Sequence, residues 1–355
     1  MPEVVGIHHI TAMAGHPQQN LDFYTGVLGL RLVKVTVDFD DSETYHFYYS
    51  DGLGQPGTLL TFFPWQRALP GRAGVSQVAI ISLAIPQHSL GYWMHRLMEK
   101  GIGYEGPHHR EVPGNNGPEE VRVLAFKDPD GLSLELVAVP STPAVRCWAG
   151  APVPEESAIR GIFSAQIWVA QAEPSLQMLE ALGYRRLGQV ATINYLGLPQ
   201  ESNLLGRLEV REVGGLMAGR GGVGTVHHIG LGVPDVQNQH GIRELLRRKG
   251  VRVTPDQDRP YFRSFYFREP GGVLLEVATH TPGFTLDEPF ESLGTGLRLP
   301  EWLEPARSEI LSKLPSIHYA SPLPVRSDLE EATDALISGN QVTFSADSNH
   351  PDALK

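Results

Sequence analysis

Val226-His227-His228-Ile229-Gly230-Leu231-Gly232-Val233 is an apolar, strand-forming run with two adjacent histidines near its start. Nearly the same text stands close to the N-terminus, as Gly6-Ile7-His8-His9-Ile10-Thr11. Apolar alternation over such lengths reads as strand. A strand that opens on a histidine pair, written twice in one chain, predicts two half-sites that meet.

Each run begins a unit of the same order: strand, helix, then further strands. In the first unit a strand over 7–12 precedes a helix over 20–27 and β-rich runs over 31–37, 44–50 and 58–63. The second unit has a strand over 78–84 and a helix over 89–100, and closes at Gly131-Leu132-Ser133-Leu134-Glu135-Leu136. The third has a strand over 162–169 and a helix over 175–182. The fourth has its strand over 226–233 and a helix over 241–249, and closes at Gly272-Val273-Leu274-Leu275-Glu276-Val277. Every helix stops on a glycine followed by an apolar residue: Gly29-Leu30, Gly101-Ile102, Gly183-Tyr184 and Gly250-Val251. A left-handed C-terminal cap calls for that order. A repeat of this kind decides the architecture before other signals do. It predicts an α+β fold of four βαβββ modules forming two pseudo-symmetric half-barrel domains. The expected division is 5–140 for the first pair of modules, 141–158 for a linker and 159–280 for the second pair. A C-terminal extension over 281–355 is expected to be helical over 300–314, then polar, aperiodic and mobile.

The chain of 355 residues is long enough for two domains with ample core, and 41% hydrophobic with 19% charged residues fits a globular protein. A formal charge of −11 argues against nucleic acid as a partner. The longest uncharged apolar runs, such as 78–85, fall far short of the roughly 20 residues of a membrane helix. His8 and His9 interrupt the only early apolar run, so the N-terminus lacks the basic-then-apolar order expected of a signal peptide. The single cysteine, Cys147, cannot form an internal disulfide and fits a reducing compartment. The expectation is a cytoplasmic protein that handles small molecules, with no membrane or nucleic-acid partner, and compatible with a homo-oligomer.

Aligning the four units sharpens the site. The first-strand position holds His9 in the first unit, Ile80 in the second, about Ser164 in the third and His228 in the fourth. The final-strand position holds Thr61, Glu135, Glu209 or Val210, and Glu276. Only the first and fourth units combine histidines with a carboxylate. If they curl into one half-barrel, His9, His228 and Glu276 converge. Two imidazoles and one carboxylate, with other positions open, are the set used by non-haem Fe(II) oxygenases. Three ligands on one face hold the metal, and the free face takes substrate and O2. Thr61, at the fourth place, is too weak a ligand to compete. A lone strand histidine is usually a core or surface residue, and Glu135 shows that a glutamate at this position need not bind metal. The joint occurrence carries the reading.

Further stretches carry a family likeness. They are His8-His9-Ile10-Thr11, Phe23-Tyr24-Thr25-Gly26-Val27-Leu28-Gly29-Leu30, Tyr45-His46-Phe47-Tyr48-Tyr49, Thr61-Phe62-Phe63-Pro64, His227-His228 and the block from Arg259 to Glu276. On these the chain resembles the vicinal oxygen chelate superfamily (the glyoxalase, bleomycin-resistance and extradiol dioxygenase fold) over residues 5 to about 300. More narrowly, it resembles the hydroquinone ring-cleaving dioxygenases. The resemblance implies an Fe(II)-dependent extradiol-type dioxygenase that inserts O2 into a hydroquinone, substituted or not. Fe(II), or alternatively Mn(II), would be held by His9, His228 and Glu276. A small aromatic substrate and O2 would meet His8, Thr11, His227, Arg259 and Tyr266.

Roles follow as expectations. His227, then His8, are the first choices for acid or base, since imidazole titrates near neutral pH. Tyr266 would donate a hydrogen bond to a developing anion. Arg259 would hold an anionic oxygen or Tyr266, against a surface ion pair with Asp256 or Asp258. Phe62, Phe63 and Tyr261 wall the ring or pack in the core. Adjacent residues of a regular strand face opposite sides. His8 and His227 therefore reach the site only through a bulge or strand end, or else touch the ring's far edge or cap the barrel mouth. Three alternatives share the fold. A glyoxalase-type isomerase or thiol transferase commonly uses four protein ligands, which Thr61 disfavours. A metal-free binding protein would lack the two histidines. A catechol cleaver usually draws all three ligands from the C-terminal half.

Overall fold

The computed structural model describes residues 3–114, 117–142, 148, 150–199 and 205–318. The first module comprises β1 (Gly6–Ala14), α1 (Pro17–Leu21), β2 (Arg31–Val37), β3 (Tyr45–Ser50) and β4 (Leu59–Pro64). The second comprises β5 (Gln77–Pro86), α2 (Leu90–Glu99), β6 (Tyr104–Gly114), β7 (Gly117–Lys127) and β8 (Ser133–Val139). The third comprises β9 (Gly161–Val169), α3 (Ala172–Ala181), β10 (Arg185–Val190), β11 (Ile193–Gly197) and β12 (Arg207–Glu212). The fourth comprises β13 (Thr225–Val233), α4 (Val236–Arg248), β14 (Gln257–Arg259), β15 (Phe262–Arg268) and β16 (Leu274–Pro282). The βαβββ order thus recurs four times.

The helices differ from the apolar pattern at their starts. α4 begins at Val236 because Asp235 caps it, its side chain accepting from the N–H of Asn238. Its first turns are polar, so the buried stripe of Ile242 and Leu246 marks only the later part. The expected regular helix over 20–27 is instead α1 running into a π-helical turn, Asp22–Val27, in which the N–H of Leu28 reaches the carbonyl of Phe23.

Two eight-stranded, curled sheets result. The first has the order β14-β15-β16-β13-β1-β4-β3-β2, and the second β10-β11-β12-β9-β5-β8-β7-β6. The first sheet therefore joins the first and fourth modules through antiparallel β1–β13, and the second sheet the second and third modules through antiparallel β5–β9. The main apolar core takes Ile10, Ile229, Leu231 and Leu275 from the first sheet and Ile81, Leu83 and Leu134 from the second. Trp93 and Leu97 of α2, with Ile242 and Leu246 of α4, complete it. Each such buried side chain is worth about 1.5–3 kcal/mol of transfer energy. With Ile10 and Ile229 turned to that core, strand alternation leaves His9 and His228 for the other face.

The extension covers the edge strand β2. Lys34 is fully buried, its ammonium donating to the Phe284 carbonyl at 3.1 Å and ion-paired with Asp287 and Glu288. Arg31 donates to the carbonyls of Gly52, Phe290 and Glu291. A covered edge is protected from pairing with other chains. The helix expected over 300–314 is a 3-10 turn, Glu304–Ala306, followed by α5 (Arg307–Lys313). Positions 319–355, where the mobile tail is expected, and Cys147 lie outside the described residues. Among the described residues no helix is long and apolar enough to cross a membrane.

Candidate metal centre

β1, β13 and β16 lie side by side in the middle of the first sheet and bring three side chains together. His9 Nε2 lies 3.1 Å from His228 Nε2 and 2.8 Å from Glu276 Oε2, and His228 Nε2 lies 3.1 Å from the same oxygen. Adjacent corners of an octahedron with bonds of about 2.1 Å are about 3 Å apart, and tetrahedral corners about 3.4 Å. The triangle fits three neighbouring octahedral corners, with the opposite face left open. Among the described residues it is the only His, Cys, Asp or Glu cluster with such a spacing. Glu276 is completely buried, yet neither of its oxygens has a hydrogen-bond donor in line. A buried carboxylate without such partners is costly, and a divalent cation resolves that cost. The residues present fit the metal.

Electrostatics agree with this. Burial works to raise the Glu276 carboxyl, but the neighbouring His9 and His228 hold it well below the usual carboxylate range. Burial draws His228 down, partly offset by Glu276.

The strands are bulged where the histidines sit. Between β1 and β13 the register passes from Ile7↔Leu231 to His9↔Gly230, and from Thr11↔His228 to Ala12↔Val226, leaving His8 and His227 as the extra residues. His8 Nδ1 meets His9 Nδ1 at 2.9 Å, and His227 Nδ1 meets His228 Nδ1 at 2.8 Å. Both therefore stand behind the His9 and His228 rings rather than in the cavity. Burial first and His9 second pull His8 well below its ordinary value. His227 keeps an exposed outer edge, and burial of its inner side, then His228, pulls it to about 4. Across from His9, Gly230 leaves room for the ring, and a Cβ there would collide with the imidazole.

A small cavity opens on the triangle. Phe39, Phe63, Phe262 and Tyr266 wall it, and Thr11, Asp38, His46, Tyr48 and Arg259 add polar atoms. Thr11 Oγ1 is 2.9 Å from His228 Nε2 and 2.7 Å from Thr61 Oγ1. Thr61 is bonded onward to His46 Nε2 at 3.0 Å, and His46 Nδ1 to the Tyr48 hydroxyl at 2.9 Å. Burial, then His9 and His228, pulls His46 far down. Tyr266 stands opposite Glu276 in the β15–β16 register, and burial, then Glu276, raises its phenol well above the ordinary value.

Arg259 lies over the Phe39 ring, its Nη2 donating to Gln257 Oε1 at 2.6 Å and to Asp40 Oδ2 at 3.3 Å. Asp256 and Asp258 pair instead with Arg243 and Arg263. Of the three aromatic residues expected as walls, Phe63 lines the cavity. Phe62 packs on Tyr24 and Tyr49, and Tyr261 on Phe284 with its hydroxyl on Asp287. Phe39, His46, Tyr48 and Phe262 are cavity residues that sequence reasoning gave no role. The signal for two of them was present, since alternation in Tyr45-His46-Phe47-Tyr48 puts His46 and Tyr48 on one face.

Residues 6–136 match the sequence model of the Glyoxalase/Bleomycin resistance protein/Dioxygenase superfamily. The chain is 39% identical over 310 residues to MhqO of Bacillus subtilis (strain 168), a protein named as a ring-cleaving dioxygenase, covering 87% of this chain and 95% of that protein. The chain belongs to this superfamily. Within the superfamily it stands among the ring-cleaving dioxygenases. It is 32% identical over 323 residues to the chlorohydroquinone/hydroquinone 1,2-dioxygenase of Sphingobium indicum, covering 88% of this chain and 96% of that protein. The crystal structure of a Bacillus subtilis protein named as a dioxygenase superposes with a TM-score of 0.82 at 36% identity, over 90% of this chain and all of that one. A dioxygenase of this superfamily implies a metal, and the His9–His228–Glu276 triangle is where one could bind.

Proposed function

We propose that this ring-cleaving dioxygenase opens hydroquinone, or a substituted hydroquinone, with O2 in an extradiol-type reaction. The cation would be Fe(II), with Mn(II) as the alternative, held by His9, His228 and Glu276. One observation carries the reading: among the described residues three side chains able to hold a metal, not four, form one side of an aromatic-walled cavity. The substrate named for the Sphingobium relative supports the hydroquinone assignment. A reducing cytoplasm suits the single cysteine.

When bound, the cation supplies a Lewis acid toward a phenolic hydroxyl and an electron path between ring and O2. The chain's own groups do the remaining work. Phe39, Phe63 and Phe262 hold an aromatic ring and exclude water. Tyr266 keeps its proton and donates a hydrogen bond to an oxygen in the cavity, while the permanent charge of Arg259 favours an anionic one. His8 and His227 fix the rotation of the ligand rings through Nδ1, as partners behind metal-bound imidazoles do. Their placement supports that orienting role in place of the proton transfer expected from the sequence. His46 has both nitrogens engaged by hydroxyls, so it holds Thr61 and Tyr48 in place. Thr61, tied to Thr11 and His46, is no fourth ligand, which weighs against the four-ligand isomerase.

The test is anaerobic loading of the metal-free protein with Fe(II), Mn(II) or Zn(II), followed by O2 consumption on a panel of hydroquinones and catechols. Uptake with hydroquinones under Fe(II) or Mn(II), and none under redox-inert Zn(II), is expected. Uptake with catechols alone would reassign the substrate. No uptake with any phenol overturns the reading.

A further inference from the structure

The second sheet repeats the first without the metal chemistry. In the first sheet Glu276 pairs in register with Gly230, two residues beyond His228. In the second, Glu135 pairs with Ser82, two residues beyond Ile80. Glu135 therefore holds the place of Glu276, and Ile80 that of His228. The outer strands correspond as well. Gln257 pairs with Ser264, two residues before Tyr266, which faces Glu276. His108 pairs with Val123, two residues before Ala125, which faces Glu135. Arg259 and Arg110, each two residues beyond Gln257 or His108, are therefore equivalents.

The two arginines behave differently. Arg110 reaches its carboxylate with both terminal nitrogens, Nη1 to Glu135 Oε2 at 2.9 Å and Nη2 to Oε1 at 2.5 Å. Ser82 donates to the same carboxylate at 2.7 Å. A two-pronged guanidinium thus satisfies the buried glutamate as a cation does. Arg259 lines the same cavity as Glu276 and does not pair with it. Gln257, Asp40 and the Phe39 ring hold its guanidinium instead.

We propose that Asp40 and Gln257 form a latch that keeps Arg259 off Glu276 and so leaves that carboxylate free for the cation. Released, Arg259 closes on Glu276 as Arg110 does on Glu135 and competes with the metal. The proposal rests on the metal-site reading and makes Asp40 and Gln257 positioning residues.

The probe is Mn(II), titrated without substrate or O2 into the metal-free full chain, with free Mn(II) counted by electron paramagnetic resonance. Asp40→Ala combined with Gln257→Ala should weaken binding about ten-fold or more. Adding Arg259→Met should restore the wild-type affinity. In thermal melts without metal, the double variant should be more stable than the triple, because only the double can form the new ion pair. Wild-type affinity in the double variant overturns the latch. So does a loss that Arg259→Met leaves unrepaired, since that marks local damage. A wild-type chain that binds no Mn(II) brings down the metal site itself, which distinguishes that failure from failure of the latch alone.

Discussion

The Nε2 atoms of His9 and His228 stand 3.1 Å apart, although 219 positions separate the two residues in the chain. They meet because β1 and β13 are antiparallel neighbours at the centre of one sheet, with Thr11 set opposite His228. The second and third modules lie between them in sequence and build the other sheet. The site therefore forms only when the first module docks on the fourth, a closure whose entropy is repaid by sheet pairing and shared core.

Gly230 is the narrowest tolerance in that arrangement. Gly230→Ala would drive a methyl group into the His9 imidazole. We expect metal affinity to fall about 10–100-fold, with a stability cost of about 1–3 kcal/mol for overpacking. Metal content by mass spectrometry and a chemical melt measure the two separately. Full metal occupancy would show that His9 has room to move or is not a ligand.

His227 separates orientation from proton transfer. With its pKa drawn to about 4 it is neutral near pH 7. His227→Asn should weaken metal binding about ten-fold while kcat at saturating metal stays near wild type. The pH profile should not shift. Unchanged metal affinity with a collapsed kcat would return the proton role to this residue.

The repeat made most of this fold legible, because glycine-ended helices and equivalent His and Glu positions recur in linear order. Register was not legible. The bulges that set His8 and His227 behind His9 and His228 are one-residue slips between two strands, and no single strand records them. Phe39 reaches the cavity from the acidic loop Asp38-Phe39-Asp40-Asp41, whose composition reads as plain solvent-facing turn. His46 and Tyr48 sit in a strand aromatic enough to pass for core. The start of α4 is not legible because its capped first turn is polar and lies outside the apolar period.

Asp128 gives the fold a pH dependence away from the site. It is 5% exposed, accepts from the Tyr24 hydroxyl at 3.0 Å and takes the N–H groups of Asp130 and Leu132. Burial, the largest cause, pushes its carboxyl from 3.8 up to about 6 despite these bonds. The folded state then binds more protons than the unfolded one between those values. Its contribution is present below pH 3.8 and lost as pH rises through about 6, by about 3 kcal/mol at most. Asp128→Asn keeps the acceptor for the backbone and cannot ionise. Relative to wild type, its unfolding free energy in urea should therefore improve steadily from about pH 4 to about pH 7. A difference that stays flat with pH would mean that Asp128 titrates alike in both states.

Thr61 decides between three ligands and four. It pairs with Thr11, two residues beyond His9, just as Glu209 in the second sheet pairs with Gln166, two residues beyond Ser164. The same register thus already carries a buried glutamate elsewhere in this chain, held there by Ser164 and Gln166. Thr61→Glu should supply a fourth donor beside His9, His228 and Glu276. Metal should bind at least as tightly, while ring-dependent O2 uptake should fall by about 100-fold or more, because a position that substrate and O2 need is taken. Metal analysis and an oxygen electrode read the two effects on one sample. Retained uptake would mean that the open face has a position to spare, and loss of metal would mean that the glutamate cannot swing inward from this strand. Only tight metal without turnover ties the oxygen chemistry to the position that Thr61 leaves open.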